Sequence, residues 1–243
     1  MGPFSAVSQD GSPVSPFQLF VSVYLMQAVT SFEDSQSTPA VRGFLHTPDA
    51  PTGHGLVLTH GAGSNCNAPL LIAVAETFAA AGMTVLRCDL PFRQARPHGP
   101  PFPAMAAQDR AGIARAARVL RDRLPGKVFL GGHSYGGRQS SMLAAEDPDV
   151  AAGLLLLSYP LHPPRRPENL RTAHFPRLTT PALFVHGTRD PFGSIDEMRV
   201  ALQLIPGPHE LAAIEGAGHD LGGKGSYARV AETALNALRR SAA

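Results

Sequence analysis

The chain has 243 residues, 44% of them hydrophobic, and a formal net charge of +2. That composition excludes wholesale disorder, and a near-neutral charge without any Lys/Arg run excludes a dedicated nucleic-acid binder. The two cysteines, Cys66 and Cys88, form neither a disulfide framework nor a metal-ligand pattern. They point to a reducing, cytoplasmic setting, with a single bridge between them left open.

The chain opens on an apolar run over residues 17–29 that is too short to span a bilayer, which takes roughly 20 residues. It lacks the positive flank of a secretory signal, since Arg42 is the first basic residue. No membrane span is therefore expected. Residues 1–38 read as a poorly ordered N-terminal extension or a packed segment ahead of the domain, with Met26 as an alternative start. Residues 39–243 read as one domain, with no internal repeat and no linker that would divide it.

Regular elements begin after Pro39. Residues 40–46 and 55–60 read as strands, and residues 67–81 as a helix stopped by Gly82. A strand over 83–88 leads into a Pro/Gly-rich loop over 90–103 and a helix over 104–124. The strand 127–131 is followed by a helix over 135–146, and the strand 153–158 by a long Pro- and Arg-rich connection over 159–180. The last third repeats the pattern: a strand over 181–186, a helix over 194–205 with Ser194 and Glu197 as a capping box, a strand over 210–214 and a closing helix over 226–240. Short apolar strands alternating with helices predict an α/β fold, with a mostly parallel central sheet covered by helices on both faces. In such sheets chemistry gathers at the carboxyl ends of the strands.

The strand 127–131 runs into Gly132-His133-Ser134-Tyr135-Gly136-Gly137 and then a helix. A GxSxG sequence in a strand–turn–helix setting is a nucleophile elbow, which lifts the serine hydroxyl clear of the sheet. The alternative is a glycine-rich turn that happens to contain Ser134. A serine hydroxyl needs a base, and the base an orienting carboxylate, in the chain order Ser, acid, His. Asp190 follows the strand 181–186, and His219 follows the strand 210–214 on a glycine-rich loop. Asp89 is the second candidate acid, Asp220 should point away from its neighbour, and Asp190 could instead cap its own turn. The backbone N–H groups of Ala62, in Gly61-Ala62-Gly63 after the strand 55–60, and of Tyr135 are the expected oxyanion donors. His133 and His186 should pack beside the site, whereas His162, His174 and His209 read as surface or lid residues.

The resulting expectation is acyl transfer from a small-molecule substrate by a Ser134-His219-Asp190 triad, requiring no cofactor and no metal. A carboxylesterase is the first reading. A thioesterase, peptidase or acyltransferase, or a non-catalytic binding protein on the same fold, are the alternatives. The pocket walls should come from residues 90–103 and 159–180. Their arginines, Arg93, Arg96, Arg165, Arg166, Arg171 and Arg177, are either ordinary solvated surface or a preference for an anionic acyl group. Arg138, one turn into the elbow helix, should make a structural salt bridge or cap. No feature of the sequence specifies an oligomeric state.

His60-Gly61-Ala62-Gly63, Asp89-Leu90-Pro91-Phe92-Arg93, the run 131–141, His186-Gly187-Thr188-Arg189-Asp190-Pro191 and Gly216-Ala217-Gly218-His219 together resemble the α/β hydrolases. They are most similar to small bacterial relatives of testis-expressed protein thirty, loosely akin to dienelactone hydrolases. The resemblance covers Pro39 to the C-terminus and implies the α/β-hydrolase fold. Ser134 stands where dienelactone hydrolase proper uses a cysteine, so that enzyme's substrate does not carry over. Some eukaryotic relatives are parts of larger assemblies, which keeps the non-catalytic alternative open.

Overall fold

The computed structural model describes residues 28–36, 38–222 and 227–242. Most of the apolar run expected over 17–29 lies outside them. In chain order the elements are β1 (Ala28–Asp34), β2 (Val41–Thr47), β3 (Gly55–Thr59), α1 (Pro69–Ala80), β4 (Thr84–Cys88), α2 (Pro91–Ala95), α3 (Ala106–Arg121), β5 (Val128–His133), α4 (Tyr135–Glu146), β6 (Leu154–Leu157), β7 (Ala182–Gly187), α5 (Ile195–Leu202), β8 (His209–Ile214) and α6 (Tyr227–Ala242). They build an eight-stranded sheet in the order β1-β2-β4-β3-β5-β6-β7-β8. β1 and β2 pair antiparallel and β2 meets β4 antiparallel; every pairing from β4 to β8 is parallel. Among the described residues no helix is long and apolar enough to cross a membrane.

The inner strands β3, β6 and β7 are buried along their length because both faces of the sheet are covered there, and the period of two sends alternate side chains to opposite layers. Val57, Leu154, Leu156 and Phe184 share a core with α3, α4 and α5. Leu56, Leu58, Leu155 and Val185 share one with α1 and α6. Phe184 is fully buried and meets the Tyr159 ring at 5.8 Å and the Phe175 ring at 6.1 Å between centroids. Phe184→Ala should therefore lower unfolding free energy by about 3–5 kcal/mol. Urea denaturation measures this, and a loss under about 1 kcal/mol would show that the aromatic cluster packs otherwise.

Two segments depart from the sequence reading. β1 falls within residues assigned to the N-terminal extension, so the sheet begins upstream of the expected start at residue 39. It pairs along its length with β2, Phe32 packs on the core, and Asp34 accepts hydrogen bonds from Arg115 of α3 at 2.7 and 3.2 Å. The loop expected over 90–103 contains α2, a short helix opened by Pro91, whose fixed φ suits a first helical position. Its neighbour Phe92 donates its backbone N–H to the buried Asp109 carboxylate at 3.0 Å. The capping box of α5 is present as expected: Ser194 Oγ accepts from Glu197 N, while the Glu197 side chain accepts from Ser194 N.

The parallel strands β3, β5, β7 and β8 all end at one edge of the sheet. The segments that follow them carry Ala62, Ser134, Asp190 and His219 respectively.

Candidate active site

The turn between β5 and α4 is as sharp as the glycines suggest. Ser134 has φ 51° and ψ −112°, a region that side-chain-bearing residues rarely occupy. Its backbone N–H donates to Leu157 O at 2.8 Å, and that of Gly136 donates to His60 O at 3.2 Å, tying the turn to the ends of β6 and β3. A Cβ at Gly132 would lie 2.6 Å from Gly137 N, and one at Gly136 would lie 2.7 Å from His60 O. Neither position has room for a side chain, which is the physical content of the GxSxG spacing here.

Ser134, His219 and Asp190 meet at this turn. His219 Nδ1–H donates to Asp190 Oδ2 at 2.8 Å, which leaves Nε2 as the acceptor for the Ser134 hydroxyl, also at 2.8 Å. The Asp190 side chain is fully buried, and its Oδ1 accepts from Phe192 N at 2.8 Å. His186 stands 3.6 Å from the same carboxylate and donates its Nε2–H to Gly193 O at 2.8 Å. The rival acids are occupied elsewhere. Asp89 Oδ1 accepts from Cys66 N at 2.7 Å and lies 3.5 Å from the buried His60, while Asp220 Oδ1 accepts from Gly222 N at 3.2 Å.

His133, expected beside the site, and Phe192, which no motif marked, hold the His219 loop. His133 Nε2–H donates to the His219 carbonyl at 2.8 Å, and burial pushes the His133 imidazole down to about 4, so it holds the loop as a neutral donor. Phe192 stacks on the His219 ring, with centroids 4.1 Å apart and planes inclined by 28°. The elbow motif leaves the position before Ser134 unspecified and Phe192 lies two residues beyond the acid, so only tertiary geometry reveals these contacts.

Ala62 and Tyr135 line a cavity of about 720 Å³ together with Ser134 and His219. Both expected wall segments contribute, Phe102 and Pro103 from one and Pro160 and Arg171 from the other. Arg93 is a correction to the sequence reading. It is buried and its guanidinium donates to the carbonyls of Ser64, Ala62, Arg96 and Gly99 at 2.7–3.2 Å, so it braces the Ala62 loop and is closed to a substrate. The Tyr135 hydroxyl donates to Asp109 Oδ2 at 2.7 Å, which fixes the residue after Ser134 from the opposite side.

Two further expectations change, and the cysteine reading holds. His162 and His174 are buried rather than on the surface; the His174 Nε2–H donates to Ser141 Oγ at 2.8 Å. Arg138 makes no salt bridge among the described residues, and it lines the cavity beside Ser134. Cys66 and Cys88 are free, buried thiols, and burial pushes Cys66 up to about 12.

The buried imidazoles give the protein an acid limit. Burial pushes His46, His133 and His174 each from 6.5 down to about 4, and it lowers His60 and His186 too. Between these values the unfolded chain binds more protons than the folded one, so stability present above pH 6.5 is lost as pH falls toward 4. Urea midpoints taken at successive pH values should drop steeply across that window, and a flat profile would contradict the neutral, buried histidines.

Comparison with known proteins agrees with this architecture. A family model described as an alpha/beta hydrolase domain matches residues 52–243. Dienelactone hydrolase from Anabaena variabilis is similar with a TM-score of 0.71 at 22% identity, over 88% of this chain and 98% of its own. Est1E from Butyrivibrio proteoclasticus has a TM-score of 0.68 at 18% identity, over 88% and 99% of the two chains. XC6422 from Xanthomonas campestris, described as an a/b serine hydrolase without lid, has a TM-score of 0.66 at 14% identity, over 88% and 94%. At such identities the likeness speaks to the fold, which is the α/β-hydrolase fold.

Proposed function

The chain belongs to the alpha/beta hydrolase family, and on that footing we propose that it is a serine hydrolase of carboxylesterase type. The observation that carries this reading is the relay of two 2.8 Å contacts, from the Ser134 hydroxyl to His219 Nε2 and from His219 Nδ1 to the buried Asp190 carboxylate. Within the family, the motifs around His60, Asp89 and Ser134 support a place among the small bacterial relatives of testis-expressed protein thirty.

In this reading Ser134 Oγ attacks an ester carbonyl while its proton passes to His219 Nε2. Asp190 accepts the Nδ1–H throughout, which holds the tautomer and stabilises the imidazolium. The backbone N–H groups of Ala62 and Tyr135 receive the developing oxyanion, with the N-terminus of α4 adding a favourable dipole. Each such donor is worth about 3 kcal/mol in the transition state. His219 then protonates the leaving alcohol. A water, deprotonated by the same imidazole, releases the acyl group and restores Ser134. The free, buried thiols accord with a cytoplasmic location.

The test is labelling of the folded protein by a fluorophosphonate, followed by rates on matched esters, thioesters and amides. Labelling with ester turnover is expected. A wild-type protein that stays unlabelled beside a labelled control esterase removes the hydrolase reading. Faster turnover of thioesters or amides would redirect it to those leaving groups.

A further inference from the structure

Buried guanidinium groups in this protein are matched where they serve the fold. Arg93 spends its donors on four backbone carbonyls, and Arg87 donates to His46 Nε2, Cys66 O and Asn67 Oδ1. Arg138 is matched less fully, its guanidinium reaching the Tyr159 hydroxyl. It stands four residues past Ser134 on α4, about 6 Å of helix rise away, and its Nε is buried with no hydrogen-bond partner among the described residues. Arg171, from the connection after β6, lines the same cavity, and among the described residues its guanidinium makes a single long hydrogen bond, to Pro160 O at 3.3 Å. Beyond these two the cavity adjoins a smaller cleft of about 210 Å³, lined also by Arg177 and His174.

Among the described residues no carboxylate pairs with Arg138 or Arg171. Among the described residues the arginine ion pairs belong to Arg42, Arg110, Arg115 and Arg199, none of which lines either space. The neighbouring groups are neutral. The Tyr159 hydroxyl is kept protonated by burial and donates to Arg171 O at 2.6 Å. His174 is pushed down to about 4, by burial first and then by Arg138, Arg177 and Arg110. Two partly desolvated cations beside a nucleophile, with neutral surroundings, are stabilised by an incoming anion. Phe102, Pro103, Met142 and Phe192 give the wall an apolar stretch that suits a hydrocarbon spacer, with the Gln139 amide among its polar groups.

We propose that Arg138 and Arg171 form an anion subsite where the Ser134 cavity meets the second cleft, and that the substrate is an ester carrying a carboxylate a few carbons from the reacting carbonyl. The ester part of this inference rests on the serine-hydrolase reading; the anion part does not.

Monomethyl glutarate and methyl pentanoate share a five-carbon acyl chain and differ in the terminal carboxylate. Water cleaves the first to glutarate and methanol, so acid release reports both reactions. A charge-assisted contact predicts that kcat/KM for the charged ester exceeds that for the neutral one by about 10- to 100-fold, and that this ratio collapses toward unity in Arg138→Gln and Arg171→Gln. Arg138→Lys, which keeps the charge, should retain most of it. A ratio the same in wild type and both Gln variants overturns the subsite. A second measurement needs no turnover: glutarate titrated calorimetrically into the wild-type protein should bind saturably and about tenfold more weakly to the Gln variants. Absence of saturable binding to wild type overturns the proposal even where fluorophosphonate labelling succeeds. Saturable binding without labelling supports the subsite and removes the hydrolase reading. Inorganic phosphate titrated alongside should bind less tightly than glutarate, and the reverse order would overturn the carboxylate assignment.

Discussion

Ser134→Ala is expected to abolish fluorophosphonate labelling and to lower kcat for ester hydrolysis by about six orders of magnitude. Removing Oγ deletes the nucleophile and leaves His219 Nε2 with no hydroxyl to deprotonate, while the Nδ1 contact to Asp190 survives. The substitution should leave the fold intact, because alanine keeps the Cβ and the positive φ of 51° that the turn already imposes. Ser134→Gly separates chemistry from conformation. It removes the same hydroxyl but relieves the backbone strain, so it should be equally inactive yet more stable than Ser134→Ala by about 1–3 kcal/mol. Labelling, kcat and urea midpoints on the pair decide the matter. An alanine variant that still labels would move the nucleophile elsewhere. An alanine and glycine pair of equal stability would mean that the elbow stores no strain.

The central strands were legible because burial on both sheet faces leaves a short continuous apolar run, as in Leu154–Leu157, bounded by turn residues. The elbow helix was legible to the residue: glycines demanded by the turn fix its start, and Asp147 and Pro148 end it. β1 escaped because it is an edge strand with little apolar signal; even Val29 is 45% exposed. The approach of Ser134, Asp190 and His219 could be anticipated because each follows a strand of a parallel sheet. The arginines could not be sorted in the same way. Arg93 follows β4 and Arg138 follows Ser134, each just past a strand end at the catalytic edge, yet one is consumed by carbonyls of the Ala62 loop and the other lines the cavity. Which of these happens depends on how the connections before α3 and after β6 fold back over the sheet edge. The same folding back buries His174 against Tyr159 and Phe175. Residues in long connections take their environment from tertiary contacts, and local pattern does not encode it.

Asp190→Asn carries the second large effect, a fall in kcat of about ten-thousandfold with little change in structure. The carboxylate has two duties. Its Oδ1 accepts the backbone N–H of Phe192, and its Oδ2 accepts the Nδ1–H of His219, each at 2.8 Å. An asparagine can keep the first with its carbonyl oxygen. Its amide nitrogen then faces His219 Nδ1 as a donor, which makes Nδ1 the acceptor and transfers the ring proton to Nε2. In that tautomer Nε2–H points at the Ser134 oxygen and cannot take its proton. The imidazolium formed on the way to the transition state would also lose its buried counter-charge. Asp89→Asn is the control, because Asp89 accepts from Cys66 N and neighbours His60 instead of His219. Its kcat should stay within about tenfold of wild type, since only a loop contact worth about 1 kcal/mol is altered. A profile in which Asp89→Asn falls as far as Asp190→Asn, or in which Asp190→Asn keeps most of its activity, would transfer the orienting role away from the end of β7. With Phe192 still stacked on His219 and His133 still holding its carbonyl, the ring in Asp190→Asn would keep its position while losing its proton register. The loss should therefore appear in kcat, with KM nearly unchanged.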